Sequence, residues 1–438
     1  MTEVNNGALI ILDTHQTGSS VSCALGYQFV VPDSNPGAVF RVEVYSAVFL
    51  VANADNKYLK THRRRKRNNI THDYPVCRMT EGRDEAPNED VCTTNGTTHH
   101  LDSRQRNETD SVARETISKN EKFIPRIRWP DLAAQAFIHV GCVYGLVLCF
   151  YSRFYTTLFA FCTIYTSGFG ITAGVHRLWS HRAYKANWPL RFFLVILFTI
   201  TGQKHVYAWA LDHRVHHKYT ESDADPHNAK RGFWFSHVGW LFLTPHPDVV
   251  AKRKVVDMSD LEADPIVMWQ KKYYPLLYFI FTIALPVGIP VYFWNEHLWN
   301  SFWINYNARY CITLNIAYCV NSVAHMWGQK PYDKYIKSVE NVAVSVAALG
   351  EGWHNFHHVF PWDYKTGEFG TRFNISTQFI DFFAWLGWAY DLKSATPKMI
   401  YNRAKKCGDG SHPWVHNEDK LAKGIFEEAE LADHEKDT

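Results

Sequence analysis

Eight histidines fall into three tight clusters: His176 and His181 in "HRLWSH", His213, His216 and His217 in "HRVHH", and His354, His357 and His358 in "HNFHH". A ninth, His325, stands four residues after Asn321. On an α-helix, positions i, i+3 and i+4 share a face, so each HxxHH run can aim its first and last imidazoles at one point. His176 and His181 are five apart and diverge by about 140° on an ideal α-helix. That pair flanks a wide site or reaches different metals of a pair. Nine imidazoles exceed the four ligands of one zinc site. Imidazole without cysteine suits iron, copper or zinc. The ligand number argues for two metals, with a redox-active iron pair as the natural candidate. By contrast, the solitary His246 in "HPDVV" reads as an ordinary surface residue.

Ligands of this kind must be carried on rigid elements. Four apolar blocks, residues 132–151, 154–175, 273–294 and 302–324, are each long enough to span a bilayer. The fourth carries Arg309 and several asparagines. A shorter block, 188–202, is interrupted by Arg191 and reads as an interfacial or partly inserted helix. The long blocks pair into two hairpins, and neither short connector is rich in Lys or Arg. Basic residues crowd instead before the first block, in the middle loop and after the fourth block, which places the middle loop and both termini in the cytosol. The expected fold is therefore an all-α membrane protein. Four transmembrane helices in two hairpins carry a cytosolic helical cap (176–272 and 325–400), and the cap holds a histidine-bound dimetal centre.

Composition narrows the function further. The 438 residues are 46% hydrophobic, and a mean hydropathy of −0.26 conceals a segregated chain. Residues 1–120 are polar and read as a disordered extension with a basic tract, "HRRRKRNN". Residues 121–410 form the membrane domain, and 411–438 a polar tail. A net charge of +3 gives no reason to expect a nucleic-acid partner. The nine cysteines are scattered without a CxxC pair, which fits a reducing, cytosol-facing protein without disulfides. The opening "MTEVNNGALIILDTH" lacks the basic start and apolar run of a signal peptide. Neither a GxGxxG nucleotide motif nor a haem-binding HPGG occurs, so electrons for redox chemistry must come from outside.

From about Pro125 to Gly410 the chain resembles membrane fatty acyl-CoA desaturases of the stearoyl-CoA Δ9 group, in particular insect members. The resemblance rests on "GITAGVHRLWSHRAYKA", "DHRVHHKYTESDADPHN", "GFWFSHVGW", "VDMSDLEADPIVMWQKKYY", "NSVAHMWGQKPYD" and "ALGEGWHNFHHVFPWDY". It implies two ferrous ions held by His176, His181, His213, His216, His217, His325, His354, His357 and His358, with Asn321 acting through a water. It also implies insertion of a cis double bond, at Δ9, into a long-chain saturated acyl-CoA. Oxygen and two electrons from cytochrome b5 and its NADH-dependent reductase would drive the reaction. The implied setting is the endoplasmic reticulum membrane, multi-pass, among membrane lipid. The acyl chain would lie in a bent tunnel lined by Trp209 and the second block, ending near Ile164 and Gly168. Gln203 and Asp212 would belong to the headgroup end.

Several positions depart from the family pattern at that headgroup end. Leu211 stands for an arginine, Ala208 for a glutamate, Lys204 for an asparagine, Thr244–Pro245 for an Arg-Lys pair and Pro130–Asp131 for an Arg-Asn pair. Each charge-assisted hydrogen bond to a polyphosphate is worth about 1.5–3 kcal/mol, so these exchanges weaken the grip; Lys204 restores one such bond. The rival readings are a hydroxylase, a desaturase for a different lipid headgroup, and a non-catalytic desaturase-derived lipid-binding protein.

Overall fold

The apolar blocks fold as long helices, described by a computed structural model over residues 123–368 and 373–416. The extension read at 1–120, with its basic tract, and nearly all of the 411–438 tail lie outside the described residues. Helix α1 (Trp129–Leu148) starts on Pro130, whose fixed φ suits a first turn. Helix α2 runs Phe154–Ser180; it is α-helical to Phe169 and π-wound over Gly170–Ser180. Helix α3 (Trp188–Thr201) is capped by the Asn187 side chain, which accepts from Leu190 N at 3.3 Å, and is closed by Gly202 at φ +72°. Helix α4 (Val206–Tyr219) and the short α5 (Pro247–Arg253) follow.

Helix α6 (Pro265–Trp294) opens on an Asp264 cap and contains Pro275, Pro286 and Pro290. Helix α7 covers residues 298–321 as Leu298–Ser301, the π-wound Phe302–Ala308 and Arg309–Asn321. Helices α8 (Val342–Ala347), α9 (His354–Val359), α10 (Ile375–Trp385) and α11 (Pro397–Cys407) complete the described helices that matter here. Strand β1 (Lys185–Ala186) pairs antiparallel with β2 (Ala389–Tyr390), in register Lys185 to Tyr390. This ties the end of the first histidine segment to the chain after α10. The main apolar core, with Val175, Leu190, Leu194, Phe198, Val206 and Ile380 at its centre, packs the π end of α2 against α3, α4 and α10. The six described cysteines are free.

Among the described residues three helices, α1, α2 and α6, are long and apolar enough to cross a membrane, rather than the four expected. Helix α7 misses that standard because of Asn305, Asn307 and Arg309, all of them fully buried. Its polar groups are turned inward. Arg309 donates through Nε to Asn305 O (2.6 Å), through Nη1 to Ile200 O (2.8 Å) and through Nη2 to Thr282 O (2.9 Å). The reason lies in its neighbours. Ile200 is in the last turn of α3, where carbonyls have no helical partner. Thr282 lies four residues before Pro286, which has no N–H to give. One guanidinium thus fills acceptors that a proline and a helix end leave open, as apolar surroundings demand.

Element bounds differ from the sequence expectation in one respect that matters for function. Helix α2 does not stop near Val175 but continues through Ser180, so His176 lies on the membrane helix itself and His181 immediately caps it.

Candidate metal centre

The π winding decides where the first histidine pair points. In a π-helix the hydrogen bond runs from i to i+5, so residues five apart share a face. His181 N donates to His176 O at 3.1 Å, the bond that defines this winding. The 140° divergence expected on an α-helix is therefore wrong, and so is the assignment of the two rings to different metals or to the flanks of a wide site. Both imidazoles fall into a single group with His213, His217 and His357, whose ligand atoms all lie within 4.8 Å of one another.

A second group, with the same mutual spacing, contains His216, His325, His354 and His358. The two HxxHH runs divide between the groups in opposite senses. On α4 the i, i+4 pair His213 and His217 joins the first group, and His216 crosses to the second. On α9 the pair His354 and His358 joins the second, and His357 crosses to the first. Rings at i+3 and i+4 straddle the helix face, so two sites side by side can each take a share of both helices. His325 reaches the second group from the turn after α7.

Within the groups the nitrogens converge through Nε2. The pairs are His176–His357 at 3.0 Å, His181–His213 at 2.7 Å and His217–His357 at 3.0 Å in the first. In the second they are His325–His354 at 3.0 Å, His354–His358 at 3.1 Å and His216–His358 at 3.4 Å. A neutral imidazole has one donor and one acceptor nitrogen, so His354 Nε2 and His357 Nε2 cannot each satisfy two facing nitrogens. A cation can. A metal about 2.1 Å from each nitrogen sets cis ligands about 3.0 Å apart, close to these spacings. The residues present fit a pair of imidazole-bound metal ions.

The electrostatics agree. Burial, then the crowding of like rings, holds His181, His213, His217, His354, His357 and His358 well below their ordinary pKa. Burial does the same to His325. Neutral imidazole is the form that binds metal.

Two carboxylates orient the ring systems from behind, and sequence reasoning did not single them out. Glu351 accepts from His176 Nδ1 at 2.8 Å and is gripped by Arg177 at 2.9 Å. Asp225 accepts from His216 Nδ1 at 2.9 Å. Burial would raise the Glu351 carboxyl, but Arg177 and His176 outweigh it and draw it down to about 2. Burial opposes ionisation of Asp225 as well, and His216 and His227 override it, leaving the group below the carboxylate range. A carboxylate on the far nitrogen fixes a ligating ring's tautomer and orientation. The only local sign of either role was an acid near a histidine cluster, in "ESDADPHN" and "GEGWH".

Beside the histidines lies a mostly apolar channel. Its lining includes His176, His213, His216 and His354 together with Ile164, Gly168, Trp209, Asn321 and Leu349. Trp209 also stacks on His213, with centroids 4.9 Å apart. Gln203 and Asp212 are not among its lining residues. Gln203 is buried with its Nε2 unpaired. Asp212 bridges Lys204 (3.2 Å) and Arg253 (2.6 Å). Of the departing positions, Leu211 packs against the main core, Thr244 pairs with Arg126 through main chain and hydroxyl, and Asp131 meets Arg128 at 3.2 Å.

A family model described as fatty acid desaturase matches residues 152–365. The chain is 53% identical over 302 residues to an acyl-CoA Delta-9 desaturase of Acheta domesticus, covering 68% of this chain and 84% of the relative. It is 51% identical over 311 residues to an acyl-CoA Delta12-desaturase of the same insect, covering 70% and 87%. It is 49% identical over 285 residues to stearoyl-CoA desaturase 5 of Bos taurus, covering 65% and 85%.

Proposed function

The chain belongs to the fatty acid desaturase family, and from that premise we propose that it inserts a cis double bond at Δ9 of a long-chain saturated acyl-CoA. One observation carries the reading: two groups of convergent, buried imidazoles border an apolar channel. The nine histidines would hold two ferrous ions, and Asn321, which borders the same channel, would act through a water. Iron bound there supplies, from O₂ and two electrons, the oxidising power to remove hydrogen from an unactivated methylene.

The chain's own residues do the rest. Glu351 and Asp225 hold their histidines in one tautomer, with Nε2 free to bind. Trp209 braces His213 while walling the channel, and Ile164 and Gly168 take the apolar end of the substrate. The family's basic grip on CoA is replaced here by Lys204 and Arg253, with Asp212 between them and Gln203 nearby. Electrons enter from cytochrome b5 and its NADH-dependent reductase.

In this reading α7 is the fourth membrane crossing, since its one charged group, Arg309, is buried and spends its guanidinium on carbonyls inside the bundle. The cap, 176–272 and 325–400, then lies on the cytosolic face of the endoplasmic reticulum with both termini. Residues 121–410 are the desaturase domain between polar flanks 1–120 and 411–438.

Expression in a desaturase-deficient cell, followed by mass spectrometry of the lipids, tests the proposal; a cis-Δ9 product is expected. A double bond elsewhere in the chain, such as that named for the Delta12 relative, would overturn the regiochemistry alone. A hydroxylated product, or none from protein carrying its iron, would overturn the reaction.

A further inference from the structure

Leu349 sits at φ +57°, the left-handed region that a bulky residue rarely adopts. The strain persists because both sides of the turn are pinned. Ala348 N donates to Val344 O and Gly350 N to Ser345 O, each at 2.8 Å, and Ser376 N donates to Leu349 O at 3.1 Å. Gly350, at φ +112°, lies so close to Asn374 that a side chain there would collide with it. One residue further on, Glu351 is locked to His176 and Arg177.

The turn drives the Leu349 side chain into the channel, where it is 5% exposed. Its Cδ1 lies 2.8 Å from where a Cβ on Gly168 would stand. Gly168 precedes His176 by eight residues, at most about 12 Å along a helix. Leu349 thus packs directly on Gly168 where both border the apolar channel. The hydrogen-bonded turn fixes the Leu349 Cα, and with it the direction of the Cα–Cβ bond.

Resting on the reading that the channel takes an acyl chain, we infer that Leu349 is a specificity-determining residue: packed on Gly168, it sets how much apolar chain the channel accepts beyond the metal centre. Leu349→Gly relieves the left-handed strain and opens the wall; Leu349→Phe fills it.

Desaturase-deficient cells expressing each variant are fed a graded series of saturated fatty acids, and their products are separated by gas chromatography. The Leu349→Gly profile should move to chains longer by about two to four methylenes, the volume of the deleted side chain. Leu349→Phe should move it to shorter ones. Gly168→Ala should shorten the profile in the wild-type background and lose that effect in Leu349→Gly. Iron content should match wild type throughout. An unchanged profile in both Leu349 variants, at wild-type iron content, would overturn the inference. Should the wild type itself form no unsaturated product, the proposed reaction fails, not the wall. Retention of saturated acyl-CoAs of graded length by the purified proteins then decides the wall by the same shifts.

Discussion

Replacing Glu340 by Gln should raise stability, and increasingly so as pH rises. The Glu340 carboxyl accepts from Phe356 N at 2.8 Å, inside the helix that carries His354, His357 and His358. Its main chain also bridges Gln329 and Trp353. Burial, despite the amide bonds from Phe356 and Asn355 and helped by the nearby Glu368, pushes its pKa from 4.5 up to about 8. The unfolded carboxyl therefore loses its proton near 4.5 and the folded one near 8. Between those values the folded state holds one more proton, so stability falls as pH rises through the window.

At 1.36 kcal/mol per unit, the loss reaches about 3 kcal/mol by pH 7 and about 5 kcal/mol above pH 8. Gln keeps the acceptor oxygen and cannot ionise. The two proteins should melt together near pH 4.5, and the variant should melt about 6 °C or more higher at pH 7. The assay is thermal unfolding of detergent-solubilised protein from pH 4.5 to 8.5, with iron retention followed in parallel. Melting curves whose separation does not change with pH would refute the assignment of a neutral, buried Glu340.

Arg309→Met should lower the melting temperature without changing metal affinity per folded molecule, because it orphans the carbonyls of Thr282 and Ile200 at about 1–3 kcal/mol each; unfolding and iron analysis together check this. Glu351→Gln and Asp225→Asn should each weaken iron binding about 10- to 100-fold. The first loosens the five-histidine group and the second the four-histidine group, so titration of the apoprotein with ferrous ion should show one weakened site of two in each case. Lys204→Met should raise KM for acyl-CoA about tenfold or more, the value of one charge-assisted hydrogen bond, with little change in kcat. That effect should shrink with added salt, and a KM indifferent to the substitution would remove Lys204 from the headgroup site.

Residue type and local spacing were enough to pick out much of this molecule. The three histidine clusters, the absence of cysteine among them and the i, i+4 pairing within each HxxHH are properties of short sequence windows. So are the apolar blocks, whose lengths a bilayer dictates. The quoted motifs were specific enough to identify the family.

What those windows could not show depends on contacts between distant segments. A 3.6-residue repeat sent His176 and His181 apart; the π winding of Gly170–Ser180, packed against α3 and α4, brings them together. The opposite division of the two HxxHH runs exists only once α4 and α9 face each other. Glu351 and Asp225 become partners of His176 and His216 through folding, since an acid near a histidine cluster is common and its aim is not written locally. The fourth apolar block showed Arg309 as an interruption, and only the folded chain shows that side chain filling the carbonyls that α3 and a proline in α6 leave open. Hydropathy counts residues one by one, whereas the cost of a buried polar group depends on whether another part of the chain satisfies it.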